Sequence, residues 1–386
     1  MPAESTTYPK YLGERIRSAR IDLHLTQEQL AEIVQLPRPA ISNIESGNRA
    51  VDSMELVALS RALKKPLSFF VEAPHEESAS EPLTVLYRSE EISDADRSAV
   101  DNFTSLSRDY AALEKLLDLK ELQFFPSWGS DIKSKWKAVV HGERTASDLR
   151  AYLNIGISPA LDLDKTLEQK GVKVVSRPLP GSKVWGFSVT SKEFGHSIFI
   201  NNYCTAERQL FTLAHELGHL TMDRNHIATI FTEKQAPDSN ENQHRVFLEV
   251  RANAFAAAFL MPDIAIRNAL VKLGIHDRAK DQLSAATLDY LRQQFGVSSE
   301  AMLWRLVNLK IISKQERTKL SQLPATENIP TAQPPQATLP HRYQALALEA
   351  FRRAKISIGK LADFLRLDLY ETRKLVKQFG IQQSPA

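Results

Sequence analysis

The sequence predicts a mainly α-helical chain with one small β-sheet, an α+β fold built in several units. Three observations predict it. First, apolar residues recur every three to four positions through most of the 386 residues. Second, β-rich runs are confined to 172–175, 185–189 and 197–201, all short and broken by Pro and Gly. Third, two polar, proline-bearing stretches, 73–82 and 322–340, have no apolar period and read as linkers. They leave an N-terminal block at 8–72, a long helix and connector at 83–145, a body at 146–321 and a basic tail at 341–386.

Composition sets limits. Apolar residues make up 43% and charged residues 25%, enough to bury a sizeable core. A single cysteine, Cys204, forms no intramolecular disulfide and points to a reducing, cytoplasmic setting. The longest apolar stretch, near 254–261, falls short of a membrane span, and the first residues lack the pattern of a secretory signal. Glycine-rich phosphate loops are absent, and a net charge of +3 identifies no nucleic-acid partner by itself.

In the N-terminal block, Leu12, Ile16 and Ala19 mark a first helix. Thr26 with Gln29 three residues on is a capping-box start for a second helix over 27–34. A break at Gln35–Leu36 precedes a third helix over 37–46, whose Pro37 and Pro39 suit only a first turn. Gly47 stops it, and Met54, Leu56, Val57, Leu59 and Leu63 supply a fourth. Two short helices around a tight break form a helix-turn-helix, whose second helix enters the major groove. Arg38, Pro39, Ser42 and Asn43 would face bases, Gln27 a phosphate, with Arg15, Arg17 and Arg49 adding charge. Residues 1–74 carry nine basic and nine acidic residues, so binding should need a homodimer on an inverted-repeat operator. The run LTQEQLAEIVQLPRPAISNIESGNRAV resembles the XRE (Cro/cI-type) helix-turn-helix family. It departs from that pattern at Gln35, where Gly is usual, and at Pro37 and Pro39, where Ser or Thr is usual. A protein-contact bundle that has lost DNA binding is the competing reading.

Next comes the long helix over 93–119, striped by Val100, Phe103, Leu106, Tyr110, Leu113 and Leu117. The stripe allows a rigid spacer or dimer contact, and equally a core helix of the body. Further helices are expected at 146–153 and 161–169, and an almost wholly helical region at 206–312.

That region holds the most informative run, ERQLFTLAHELGHLT at 207–221. His215 and His219 lie one turn apart on one helix face, so both imidazoles can meet one cation, and Glu216 can reach a water bound to it. This is the layout of metal-assisted peptide hydrolysis, with Glu216 as the base. The bland alternative is two core or surface histidines, but the flanks are apolar and buried histidines need partners. Gly218 inside this helix suggests close approach of another backbone. A third ligand is expected from FLEVRANAFAAAFLM at 247–261, where Glu249, Ala252 and Asn253 share a face and alanines permit close packing. Glu249 would complete the set and Asn253 would hydrogen-bond a ligating histidine, with Asp238, Glu241 and His244 as competitors. Zn²⁺ is the default for two imidazoles and a carboxylate, Mn²⁺ the alternative. Cys204 reads as a small hydrophobe rather than a thiolate capping the metal.

The run LAHELGHLTMD…LEVRANAFAAAFLMP closely resembles the ImmA/IrrE family of zinc-type metallopeptidases, and the likeness extends over about 146–312. Arg251 departs from it, standing where an acidic or amide residue is common. The resemblance implies a zincin-like body, metal ligation by His215, His219 and Glu249, and catalysis by Glu216. It also implies a protein partner such as a repressor or toxin. The overall expectation is a DNA-binding regulator whose peptidase cleaves or controls that partner. The alternative is a non-proteolytic repressor or antitoxin with a structural or vestigial metal site.

The tail, 341–386, carries nine basic and four acidic residues. KLADFLRLDLYETR lies over QLAEIVQLPRPAIS without a gap, so a second, degenerate helix-turn-helix is one reading. A basic hairpin packed on the body is the other.

Overall fold

A computed structural model describes residues 12–13, 15–17, 19–20, 25–63, 70, 94–119, 126–224, 240–275, 283–322 and 339–381. The 73–82 linker and nearly all of 322–340 lie outside these residues. The chain divides into two compact units, 1–79 and 80–386.

In the first unit, α1 (Gln27–Val34) starts at the Thr26–Gln29 capping box. Gln35 turns the chain in the left-handed region at φ 56°, a geometry Gly adopts more readily. Helix α2 (Arg38–Glu45) begins after Pro37 with Pro39 in its first turn, and α3 (Ser53–Ala62) is capped by Asp52 and Glu55. Leu12, Ile16, Ala19, Leu30, Ile41, Ile44 and Leu59 form the core. Met54 is not part of it: it is 77% exposed, because five helical positions before Leu59 is about 140° away from the inward stripe.

The second unit contains α4 (Asp94–Leu116), α5 (Lys135–Tyr152) and α6 (Leu163–Gln169), then β1 (Lys173–Arg177), β2 (Gly186–Ser191) and β3 (Gly195–Asn201). Helices α7 (Ala206–Met222), α8 (Asn240–Leu260), α9 (Asp263–Lys272), α10 (Ala285–Phe295), α11 (Ser299–Asn308) and α12 (Lys314–Ser321) follow. The tail forms α13 (His341–Arg352), α14 (Ile358–Leu365) and α15 (Leu369–Gln378). The sheet order is β1-β3-β2, with β1 parallel and β2 antiparallel to β3.

The sheet separates two cores. Val174, Ile198 and Ile200 face the helices α5 to α11. Val175, Phe187, Val189 and Phe199 face α4 and the tail helices. All six stripe residues of α4 are buried in this second core, and Phe103 meets Phe187 and Phe199 edge to face. The spacer reading of α4 therefore fails: its apolar stripe is covered by its own sheet. Helix α5 begins eleven residues before the expected 146, because the residues it buries there, Ala138, Gly142 and Thr145, are too small to make an apolar stripe. A Cβ on Gly142 would meet the Arg251 carbonyl at 2.4 Å, so α5 and α8 touch backbone to backbone. The apolar run Val246–Lys272 is long enough to cross a membrane by length and composition, but it lies in two helices whose inner residues line the first core.

The tail is anchored, not pendant. Arg342 donates to Glu114 at 2.5 Å, Glu114 also pairs with Lys173 at 3.0 Å, and the Tyr343 hydroxyl donates to the Phe364 carbonyl. Beneath it, Glu168 is buried, and burial pushes its carboxyl up to about 7 despite the nearby Arg342 backbone N–H. Such a group favours folding below its unfolded pKa near 4.5, and this contribution is lost as pH rises to about 7. Glu168→Gln is therefore expected to raise stability at pH 8 by about 1–2 kcal/mol and to change little at pH 4.5. Denaturant unfolding at the two pH values checks this; an equal effect at both would refute it.

Candidate metal centre

Helix α7 carries the one-turn histidine pair, capped at its start by Thr205. Helix α8 crosses it closely at Gly218, where a Cβ would meet the Phe255 ring at 3.0 Å and the Ala252 Cα at 3.5 Å. That approach brings Glu249 over the pair. His215 Nε2 and His219 Nε2 lie 3.1 Å apart, and Glu249 oxygens stand 3.3 and 3.1 Å from them. The ligand atoms of all three residues fall within 4.8 Å of one another.

The opposite edge of each ring decides what the near edge can do. His215 Nδ1 donates to Asn253 Oδ1 at 3.1 Å, and His219 Nδ1 donates to Asp223 Oδ2 at 2.7 Å. With both Nδ1 protons so used, the neutral rings present Nε2 lone pairs to each other and to a carboxylate. Three converging lone-pair donors repel unless positive charge, a proton or a metal cation, lies between them. Electrostatics points the same way. Burial opposes charge on His219, but Asp223 and Glu249 outweigh it and favour the positive form. Burial would raise the Glu249 carboxyl, yet the two histidines hold it well below the usual range. The donor set thus fits a divalent cation bound by two nitrogens and a carboxylate.

Glu216, within the field of both histidines, is held separately. It is 7% exposed and lies beneath β2, where Ser188 Oγ donates to its Oε2 at 3.1 Å. Burial raises its pKa, and the two histidines partly counter that. Gly186 on the same strand leaves no room for a side chain: a Cβ would meet Thr212 at 2.7 Å and the Phe199 carbonyl at 2.9 Å.

Residues 167–307 match the family model of the IrrE N-terminal-like domain, and residues 16–70 match that of the helix-turn-helix. The chain joins a helix-turn-helix to an IrrE-like domain. No curated protein sequence matches it. Two solved structures resemble it weakly. PlcR of Bacillus thuringiensis, in complex with the peptide PapR7 and DNA, is 13% identical over 96% of this chain and 97% of that chain, with a TM-score of 0.16. ComR from Streptococcus suis is 12% identical over 97% and 92%, with a TM-score of 0.16. Scores so low carry no weight for the fold.

Beyond His215, His219 and Glu249, the IrrE-like domain holds a buried layer that motif reading missed. Asp223, four residues after His219, accepts from that ring and also pairs with Arg251. Arg251 is 1% exposed and donates to the Ser130 carbonyl at 3.0 Å. The departure at Arg251 thus has a structural partner in Asp223. The only sequence signal was that an Asp sits one turn beyond the second histidine. Ser188 carried no signal at all, since sheet register alone brings it to Glu216. Of the competing ligands, Asp238 and the Glu241 side chain lie outside the described residues, and His244 is not among the converging groups. Cys204 is half-buried, its thiol donating to the Asn201 carbonyl at 3.3 Å, and burial raises its pKa.

In the helix-turn-helix, Arg38, Pro39, Ser42 and Asn43 are all exposed on α2. Arg38 lies 3.4 Å from Glu28. Gln27 donates to Glu45 at 2.8 Å, and Glu45 also pairs with Arg20. Arg49 is half-buried and pairs with Glu55 at 2.6 Å.

Proposed function

We propose that the protein is a cytoplasmic, DNA-bound regulator whose IrrE-like domain is a zinc-type metalloendopeptidase acting on a partner protein, such as a repressor or toxin. The observation that carries this is the convergence of His215 Nε2, His219 Nε2 and Glu249 beside a buried, separately held Glu216. A divalent ion on those three ligands, Zn²⁺ by their chemistry, would supply Lewis acidity to a water and to the scissile carbonyl. Glu216 would take the water proton and return it to the leaving amine. Its burial raises its proton affinity, which suits a base that must later act as an acid. Ser188 orients it from β2. Strand β2 pairs only with β3 among the described residues, so its outer edge can accept an extended peptide. Exposure of Arg38, Pro39, Ser42 and Asn43 on one helix supports operator reading, and the balanced charge of residues 1–74 supports binding as a homodimer.

The decisive experiment uses Glu216→Gln. Wild type and variant are each co-expressed with the products of the adjacent genes, and fragments are sought by mass spectrometry. A fragment formed by wild type and lost at least about a hundredfold in the variant, with metal content unchanged, is expected. Partner control that persists undiminished in Glu216→Gln would instead establish regulation by contact.

A further inference from the structure

We infer that the tail, 341–381, is a second duplex-DNA-binding surface, with α15 as the helix that enters the major groove. This goes beyond the proposed function and does not depend on whether the head binds DNA.

The tail follows the head position for position at a constant separation of 331, although few of the residues are identical. Leu12, Ile16 and Ala19 correspond to Tyr343, Ala347 and Ala350, and all six are buried. Thr26 and Ser357 each cap an eight-residue helix. Leu30 and Ala31 correspond to Leu361 and Ala362, again buried. Gln35 at φ 56°, ψ 40° corresponds to Arg366 at φ 56°, ψ 36°. In both corners the N–H of the following Leu returns to the carbonyl of that Ala. The next helix then starts at the same register, on Pro37 or Asp368, and its buried anchor is Ile41 or Thr372. The corner and both helix starts are therefore alike.

The outer face follows from this register. The base-facing positions Arg38, Pro39, Ser42 and Asn43 correspond to Leu369, Tyr370, Arg373 and Lys374, all exposed. Lys377 continues the stripe. Among the described residues no carboxylate is paired with Arg373, Lys374 or Lys377, and the tail as a whole holds nine basic residues against four acidic ones. Such a face complements phosphate, while Leu369 and the 78% exposed Tyr370 offer apolar surface to base edges. The corner alone would not justify this. Gly296 makes the same left-handed turn between α10 and α11, but there the corresponding positions are Ser299, Glu300, Leu303 and Trp304, with Leu303 only 2% exposed. There one of the four positions is buried and another is the acid Glu300, whereas the acid of α15, Glu371, falls outside the four. In α15 the face is open and basic.

The test uses the full chain and a labelled random-sequence DNA duplex of about three helical turns, with binding followed by anisotropy across a salt series. Arg373, Lys374 and Lys377 are replaced together by Glu, both in the wild type and in an Arg38→Ala chain. The expected result in both backgrounds is at least a tenfold loss of affinity near 0.1 M salt and a drop of about 2–3 in the slope of log K against log salt. The Gln triple should shift both in the same direction by less, and it replaces the Glu triple if the latter lowers the melting temperature. Unchanged affinity and slope in a folded triple variant would overturn the proposal. Equal competition by duplex RNA would also overturn it, because the deep, narrow major groove of A-form RNA excludes a helix. If Arg38→Ala removes sequence preference while the tail charges still set the salt slope, the head and tail have been separated.

Discussion

Glu249→Ala is expected to empty the metal centre. Wild-type protein purified with Zn²⁺ should hold about one ion per chain, and the variant below about a tenth of that, as should His215→Ala. The effect is large because, among the described residues, three side chains converge on the site and Glu249 alone brings a negative charge to both Nε2 atoms. Without it, two neutral imidazoles 3.1 Å apart would hold a dication with no carboxylate ligand among the described residues. Elemental analysis by mass spectrometry reads the stoichiometry. Thermal unfolding gives an independent check: Zn²⁺ added to metal-stripped wild type should raise the melting temperature, and should not do so in either variant. Full occupancy in both variants would remove these residues from the centre.

The second large effect is expected at Arg251. Its guanidinium is almost wholly buried, pairs with the equally buried Asp223 and ties the 126–134 segment to α8 through the Ser130 carbonyl. Arg251→Met keeps much of the volume and removes the charge. It leaves Asp223 buried with His219 as its remaining ion-pair partner among the described residues, and breaking a buried pair from one side costs about 3–5 kcal/mol. For a unit of this size the melting temperature should fall by about 10 °C. Adding Asp223→Asn to Arg251→Met should recover part of the stability, since the stranded charge is then gone. The same Asp223→Asn change alone should weaken metal binding about 10–100-fold, because it loosens the ring that presents His219 Nε2. A double variant as unstable as the sum of the two singles would show that Asp223 and Arg251 are not coupled.

Much of the molecule was legible in the residues alone. The helix period placed α4 and α7 within a few positions and the end of α8 within one, but α8 starts at Asn240, seven residues before the expected run. The convergence of His215, His219 and Glu249 was legible because a pair at i and i+4 must share a helix face, and because the small-residue run 247–261 bears one glutamate. The gapless repeat of the head in the tail was likewise visible as letters, although only the matching left-handed corners and exposed faces made it a structural repeat.

Other features were decided only by the tertiary structure. The stripe on α4 allowed solvent, a second copy or a core, and the far face of the sheet settled it, because an apolar stripe carries no address. Helix α5 had too little periodicity to extend to its true start, since close approach to α8 requires small residues and small residues leave no stripe. Ser188 reached Glu216 through the antiparallel register of β2 on β3, a pairing between positions 28 apart in the chain that no local pattern encodes. Arg251 read locally as a stray charge beside a metal site. It became the partner of Asp223 only when α8 was laid across α7. Local periodicity determines which elements form and which residues share a face. Long-range packing alone decides what each face meets, and the second layer of this centre is built entirely from such meetings.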